Sequence, residues 1–238
     1  IPNSIASMEV QCFSNCVGLT SIAIPESVTS IGAYAFYGCK GLTSIEISRS
    51  VTSIVSNVFQ GCIGLTSIVI PNSVTSIGEQ AFYGCDGLRS IAIPKSVTSI
   101  AWESFYGCGD LTTIKIPNSI TSIGGGAFCG CEGFTFFDIP DSITSMSEKC
   151  FAFCTALTSI NIPHSITSIG AHSFCQCVGL TSLDLPHSVT SIGGCAYFGC
   201  VGLTSVQLPT SITSIQKQTF GKCKNLVAIE IPNSVTSI

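Results

Sequence analysis

Proline recurs along this chain at intervals of 23 residues or twice 23, and no other feature constrains the fold as strongly. The ten prolines are Pro2, Pro25, Pro71, Pro94, Pro117, Pro140, Pro163, Pro186, Pro209 and Pro232. The one gap in the series falls at Ser48. Self-similarity at a fixed period of about 20 to 50 residues is typical of solenoids and related repeat architectures. We therefore predict one domain over residues 1–238, built from about ten stacked coils.

Each coil follows one consensus, which the segment from Leu19 to Gly41 matches most closely. The consensus reads L-T-S-I-x-I-P-x-S-[VI]-T-S-I-G-x-x-A-F-x-G-C-x-G, and we number its positions from the leucine. Apolar residues at positions 4 and 6 have the two-residue spacing of a short, half-buried strand. Proline at position 7 cannot donate to a strand ladder and is expected to end that strand. A second β-branched segment follows, for example Val28 to Ile31, and glycines at positions 14, 20 and 23 favour turns.

A coil of this size cannot bury its own apolar side, so neighbouring coils must stack with equivalent residues about 4.8 Å apart. Position 18 is then expected to form an aromatic column inside the stack. Its members are Phe13, Phe36, Phe59, Phe82, Phe105, Phe128, Phe151, Phe174, Tyr197 and Phe220. Position 9 is serine in every copy, from Ser4 to Ser234. We interpret this serine as a structural residue whose hydroxyl bonds to backbone at a corner of the coil.

The consensus resembles the BspA-type leucine-rich repeat over essentially the whole chain. This resemblance implies a β-rich solenoid, a right-handed leucine-rich-repeat superhelix with a parallel sheet on its concave side and short strands, turns or 3-10 segments on the other faces. It also implies adhesion or protein recognition and favours an extracellular or cell-surface location. Two departures, Ser48 in place of proline and the pair Phe134 and Phe137 in place of Leu and Ile, are expected to distort their coils without changing the fold.

Composition excludes several classes of protein. Only 9% of residues are charged, against about 25% in an ordinary domain. The nine Lys and Arg residues are scattered, so no basic face is available and nucleic acid is not a predicted partner. The 45% apolar content argues against disorder. No segment supplies the roughly 20 mainly apolar residues of a spanning helix, so membrane insertion is not predicted either.

Fifteen cysteines would suggest metal or redox chemistry, but ten of them occupy position 21. These ten are Cys16, Cys39, Cys62, Cys85, Cys108, Cys131, Cys154, Cys177, Cys200 and Cys223. We interpret this column as free thiols that pack as small apolar groups. The others are Cys12, Cys129, Cys150, Cys175 and Cys195. For these, a disulfide between adjacent coils or simple packing is favoured over zinc, because the C-x-C pairs lie in separate coils.

Catalytic chemistry is not predicted. The chain has no H-E-x-x-H, P-loop or G-x-S-x-G motif, and we assign no catalytic, metal or cofactor-binding residue. Asp141, His164 and His187 occupy position 8 in three coils and could form a cation site or a pH-sensitive column. We interpret them instead as a solvated polar patch.

Two functions remain open. The first is a recognition or adhesion scaffold whose concave face binds a protein or another cell-surface or matrix macromolecule. Its binding residues are predicted at positions 5 and 8, which vary between copies while the stacked positions hardly change. They are Glu46, Arg49, Lys95, Lys115, Asp138, Asp141, Asn161, His164, Asp184 and His187. A convex-side interface around Trp102 and Tyr106 is the competing location.

The second function is a structural or ice- and water-organising solenoid that uses its Ser and Thr ladders, notably position 11 from Thr29 to Thr236.

The chain ends bear on assembly under either function. The sequence begins at position 6 of a coil and stops at position 13, without a polar capping repeat at either end. We therefore expect a fragment of a longer chain whose uncapped termini permit end-to-end or larger assembly.

Overall fold

Two columns of short parallel strands lie along the molecule in the computed structural model, which describes residues 1–238 and contains no helix. The column of three-residue strands is interrupted in the coils that begin at Leu65 and Leu180, which have no such strand. We call the column of three-residue strands, at positions 3 to 5, the first ladder. It comprises Ser21–Ala23, Ser44–Glu46, Ser90–Ala92, Thr113–Lys115, Phe136–Asp138, Ser159–Asn161, Ser205–Gln207 and Ala228–Glu230. The column of two-residue strands, at positions 12 and 13, is the second ladder. It comprises Ser7–Met8, Ser30–Ile31, Ser53–Ile54, Ser76–Ile77, Ser99–Ile100, Ser122–Ile123, Ser145–Met146, Ser168–Ile169 and Ser191–Ile192.

Every strand pairing is parallel and joins equivalent positions of neighbouring coils. Ser21 pairs with Ser44 in the first ladder, and Ser76 pairs with Ser53 in the second. Turns occupy most of the segment between position 15 and position 20, and no 3-10 helix is present. A parallel solenoid built from the 23-residue unit is therefore confirmed.

The strand of the first ladder begins one residue earlier than the sequence suggests. It covers positions 3 to 5, whereas the apolar spacing predicts positions 4 to 6. Position 6 still continues the hydrogen bonding in places, since the Ile24 amide donates to the Glu46 carbonyl at 2.8 Å. The inward direction of positions 4 and 6 is as predicted, and positions 3 and 5 both face solvent, as around Ile45 and Ile47.

Position 18 forms the predicted aromatic core. Rings of adjacent coils lie with centroids 5.2 to 5.7 Å apart and close to parallel. All members from Phe36 to Tyr197 are fully buried, and the end members Phe13 and Phe220 are partly buried. The placement of this column in the interior is confirmed.

Serine at position 9 plays the expected structural role in the eight coils from Ser73 to Ser234. The Ser73 hydroxyl donates to the Val51 carbonyl of the preceding coil at 2.7 Å, and Ser119 donates to Val97 at 2.8 Å. Where Ser48 replaces proline, its side chain is buried and its hydroxyl donates to the Val28 carbonyl at 3.2 Å. The coil with the missing proline keeps its strand, so the fold is unchanged there.

The Phe134 and Phe137 substitutions are also absorbed without a change of fold. Both rings are buried, and Phe137 packs edge-on against Phe151 with centroids 4.6 Å apart. The strand that carries Phe137 keeps its register with Ser159–Asn161 in the next coil. The extra volume is therefore taken up by contacts between the two substituted rings and the aromatic column.

All fifteen cysteines are free thiols in the structure. In the position 21 column the Cys85 thiol lies 3.1 Å from the Phe59 carbonyl of the preceding coil, to which it donates. Burial raises the pKa of Cys62 to about 12. Burial also raises the pKa of Cys129, outside the column, to about 11, against a lowering contribution from its bond with Tyr106. These thiols stay protonated at neutral pH and pack as small apolar groups.

A thiol titration of the native protein should therefore divide the cysteines into two classes. We expect a disulfide reagent at mildly alkaline pH to react rapidly with Cys12 and Cys16, which are exposed, and with the half-buried Cys195. The other twelve cysteines are buried and should react only after the chain is denatured. Rapid reaction of more than three thiols in the native state would contradict the burial of the column.

The structure contains no helix long and apolar enough to cross a membrane.

Candidate functional site

All ten residues predicted to bind a partner are exposed, and they follow the first ladder and its exit along successive coils. We call this set, Glu46, Arg49, Lys95, Lys115, Asp138, Asp141, Asn161, His164, Asp184 and His187, the variable face. The local sequence explains its exposure. Glu46 lies between the buried residues Ile45 and Ile47, and strand alternation turns it outward. At position 8 the chain has left the strand after proline, so residues such as Lys95 project from a turn.

Three shallow grooves lie along the variable face. One of about 930 Å³ is lined by Glu46 and Arg49. A second, of about 860 Å³, is lined by Lys95 and Lys115. The predicted residues on these coils therefore face open surface that a partner can reach.

The third groove, of about 550 Å³, brings together Asp141, Asn161, His164 and Asp184. The structure thus brings four predicted residues together in one groove. Lys95 and Lys115 lie in the second groove, and Glu46 and Arg49 lie in the first. Asp138 is held from the neighbouring coil, because the Asn161 amide donates to its carboxylate at 2.6 Å. The Asp138 carboxylate is therefore oriented before any partner arrives.

Charge along the variable face is divided into two segments. Lys95 and Lys115 form a basic segment on adjacent coils, and Asp138, Asp141 and Asp184 form an acidic segment on the coils that follow. The boundary falls between Lys115 and Asp138, which occupy the same position in neighbouring coils. A surface with two adjoining segments of opposite charge selects the orientation of a charged partner.

Sequence reasoning missed Phe136, which lies at this boundary. Its side chain is 55% exposed on the first ladder, at position 3, where the paired residue of the next coil is Ser159. The apolar spacing predicts a strand that begins at position 4, so it does not point to an exposed residue at position 3. The alternation that turns position 5 outward applies equally to position 3, and a comparison there would have found this residue.

The competing location around Trp102 and Tyr106 lies on the turn side of the coils. Trp102 is 45% exposed, and the Tyr106 ring stacks on Tyr83 with centroids 4.7 Å apart. Tyr106 lines a groove of about 1150 Å³ to which Trp102 does not contribute. Of the two residues, only Tyr106 lines this groove.

Residues 1–238 contain no candidate metal site. No group of three or more His, Cys, Asp or Glu side chains is placed to hold a metal ion. Asp141 and His164 share a groove without forming such a group, and His187 does not line that groove.

Threonine at position 11 is exposed, and in six of its ten copies the hydroxyl donates to a backbone carbonyl of the preceding coil: Thr29, Thr75, Thr121, Thr167, Thr190 and Thr236. Thr75 donates to the Thr52 carbonyl at 3.2 Å, and Thr121 donates to Thr98 at 3.3 Å. In these six copies the hydroxyl hydrogen therefore bonds to backbone rather than to surrounding water, and the column contributes to the cohesion between coils.

Comparison with known proteins agrees with the architecture described above. The model of the BspA type leucine rich repeat region matches residues 1–108, 52–181 and 144–238. A leucine-rich repeat protein from Bacteroides ovatus has 28% sequence identity and a TM-score of 0.69, over 98% of this chain and 78% of that one. The T. pallidum leucine rich repeat protein has 29% identity and a TM-score of 0.63, over 67% of this chain and 77% of that one.

A leucine-rich repeat protein from Eubacterium ventriosum has the same fold at 24% identity, with a TM-score of 0.65 over 98% of this chain and 80% of that one. No curated protein sequence matches the chain. The family matches overlap one another and together reach both ends of the chain. On this basis the chain, a parallel solenoid of repeated coils, belongs to the BspA-type leucine-rich repeat family.

Proposed function

We propose that this chain is a non-catalytic recognition or adhesion scaffold whose variable face, on the concave side of the solenoid, binds a protein or another macromolecule of a cell surface or matrix. The observation that carries the proposal is the concentration of copy-to-copy variation at exposed positions. Positions 5 and 8 change from coil to coil, while the buried positions around them are held nearly constant by stacking. Extended repeat surfaces of this kind are used to bind macromolecules.

The distribution of side chains on the variable face suggests the chemistry of the partner. An acidic patch on the partner would lie opposite Lys95 and Lys115, and a basic patch would lie opposite Asp138 and Asp184. The exposed ring of Phe136 lies on the strand of Asp138, in the first coil of the acidic segment and next to the coil of Lys115. Aromatic residues at the centre of an interface commonly contribute most of the binding energy, with charges at the rim. A partner with adjoining acidic and basic patches and an apolar residue close to their boundary therefore suits this face.

The alternative of a water- or ice-organising solenoid is less well supported. Its threonine column would have to present hydroxyls to water, and six of the ten hydroxyls donate to backbone carbonyls of the neighbouring coil.

Charge reversal tests the proposed location directly. The triple variant Lys115→Glu, Asp138→Lys and Asp184→Lys should bind an immobilised extracellular-matrix extract at least about tenfold more weakly than the wild type, a loss of about 1.4 kcal/mol. Its melting temperature should hardly change, because all three side chains are exposed. Binding is measured by biolayer interferometry and stability by circular dichroism.

A matched control makes the same changes on position 15, on the turn side. The triple variant Glu79→Lys, Glu148→Lys and Lys217→Glu alters the net charge by the same amount at exposed residues, and should bind like the wild type. Equal losses in the two triple variants would point to diffuse charge attraction. Binding that survives the first triple variant but disappears on substitution of Trp102 and Tyr106 would move the interface to the turn side.

A further inference from the structure

The groove on the turn side, at about 1150 Å³, is larger than the three grooves described on the variable face. We call it the glycine trough, because its floor is formed by Gly84, Gly107 and Gly130 at position 20 of three successive coils. Phe153 lines it at the same position of the next coil. Glycine occupies position 20 in five successive coils, from Gly38 to Gly130, and the trough spans the last three of them; Gln176 carries a side chain at this position further along.

The floor presents backbone acceptors without partners. The three glycines adopt left-handed φ angles of 64°, 67° and 72°, a conformation that glycine adopts at little cost. Their amides donate to carbonyls of the next coil, for example from Gly107 to Cys129 at 2.8 Å. No backbone amide or side chain donates to the carbonyl oxygens of Gly84, Gly107 and Gly130. A row of free acceptors, one per coil, therefore runs along the trough.

The walls combine aromatic rings with carboxylates. Tyr106 is fixed by its stack on Tyr83, at an interplanar angle of 2°, and Phe153 is 48% exposed. The trough is also lined by three acidic residues, Asp86, Asp110 and Glu132, and by one basic residue, Arg89.

The acidic residues differ in how far the fold already uses them. The Asp86 carboxylate accepts a hydrogen bond from the Gly109 amide at 3.1 Å and so has a structural role. Asp110 and Glu132 are exposed and have no such partner. Two carboxylates are therefore available to a ligand.

We propose that the glycine trough binds an arginine-bearing peptide segment of a protein partner. A guanidinium group is planar, stacks on aromatic rings and carries five N–H donors that suit carboxylates and carbonyls together. At about 4.8 Å per coil, the four coils from Gly84 to Phe153 extend over about 14 Å, which accommodates about four residues of extended chain. This surface is separate from the variable face and does not depend on the function proposed for it.

Binding of a fluorescently labelled hexa-arginine peptide, followed by anisotropy, tests the proposal. The double variant Asp110→Asn and Glu132→Gln should weaken binding at least about tenfold, since two charge-assisted bonds are lost. The control Glu79→Gln and Glu148→Gln removes the same charge at exposed residues outside both the trough and the variable face, and should bind the peptide like the wild type. Equal weakening by the two double variants, or no binding to the wild type, would overturn the proposal.

A neutral substitution separates shape from charge. Asn15 occupies position 20 with a φ of 57°, so asparagine is compatible with this conformation. A Cβ atom on Gly107 would lie 3.8 Å from the Gly84 Cα atom, an ordinary contact. Gly107→Asn should therefore fold normally, fill the trough and abolish peptide binding. Wild-type affinity in a normally melting Gly107→Asn variant would contradict the trough as the site, and equal affinity for hexa-lysine would contradict the guanidinium.

Discussion

Replacement of Phe82 by alanine should lower the free energy of unfolding by about 3 to 5 kcal/mol. The ring is fully buried between Phe59 and Phe105, at centroid distances of 5.4 and 5.3 Å. The surrounding coils cannot collapse into the space left by the ring, because backbone bonds such as that from the Phe82 amide to the Ser104 carbonyl, at 2.8 Å, fix the distance between coils. The alanine variant therefore loses both the transfer free energy of the ring and the contacts around the cavity.

Urea unfolding measures this loss, with Thr75→Ala as the matched surface change. Thr75 is exposed, and its hydroxyl makes one bond to the Thr52 carbonyl. Its removal should cost about 1 kcal/mol or less. Similar losses of unfolding free energy for the two variants would contradict a large contribution of the aromatic column to stability.

Replacement of Tyr197 by phenylalanine should act in the opposite direction and raise the free energy of unfolding by about 1 to 2 kcal/mol. Tyr197 is the one tyrosine in the aromatic column, and its buried hydroxyl has no hydrogen-bond partner. Burial raises the pKa of this tyrosine well above its usual value, so the hydroxyl stays neutral and keeps its unsatisfied donor. Phenylalanine keeps the ring stacked on Phe174, 5.2 Å away, and removes the desolvated polar group.

Urea unfolding also measures this gain, and Tyr37→Phe is its control. The Tyr37 side chain is 37% exposed, so loss of its hydroxyl should change stability by no more than about 0.5 kcal/mol. A lower stability of Tyr197→Phe would show that the hydroxyl is satisfied in solution by a partner such as a buried water.

The core could be predicted from the sequence because stacking demands it. A residue such as Phe82 contacts its own equivalents in the coils on either side, so the constraint appears as a constant letter at a constant interval. The outward direction of Lys115 and Asp138 follows from the same interval and from strand alternation. Phe136 was missed because apolar spacing alone located the strand one residue too late.

The glycine trough could not be predicted in the same way. Each glycine at position 20 indicates a turn, and this interpretation is correct for Gly107 taken alone. The groove lies over Gly84, Gly107 and Gly130, the last three of five successive glycines at this position, and Phe153 supplies a side chain in the next coil. Its acidic residues also come from two different positions of the repeat, 22 for Glu132 and 23 for Asp110. A surface of this kind depends on the order of the coils, which the consensus of a single coil does not contain.

The constant register of the ladders has a consequence for how such a surface can change. Each strand pairs only with its equivalents in adjacent coils. If a whole coil is inserted or removed, the coils on either side can therefore form the same strand pairings with their new neighbours. An insertion between the coils of Lys115 and Asp138 would separate the basic and acidic segments by about 4.8 Å and leave each segment intact. Insertion or removal of coils therefore changes the distance between charged groups in steps of one coil, about 4.8 Å, whereas a single substitution changes the identity of one group.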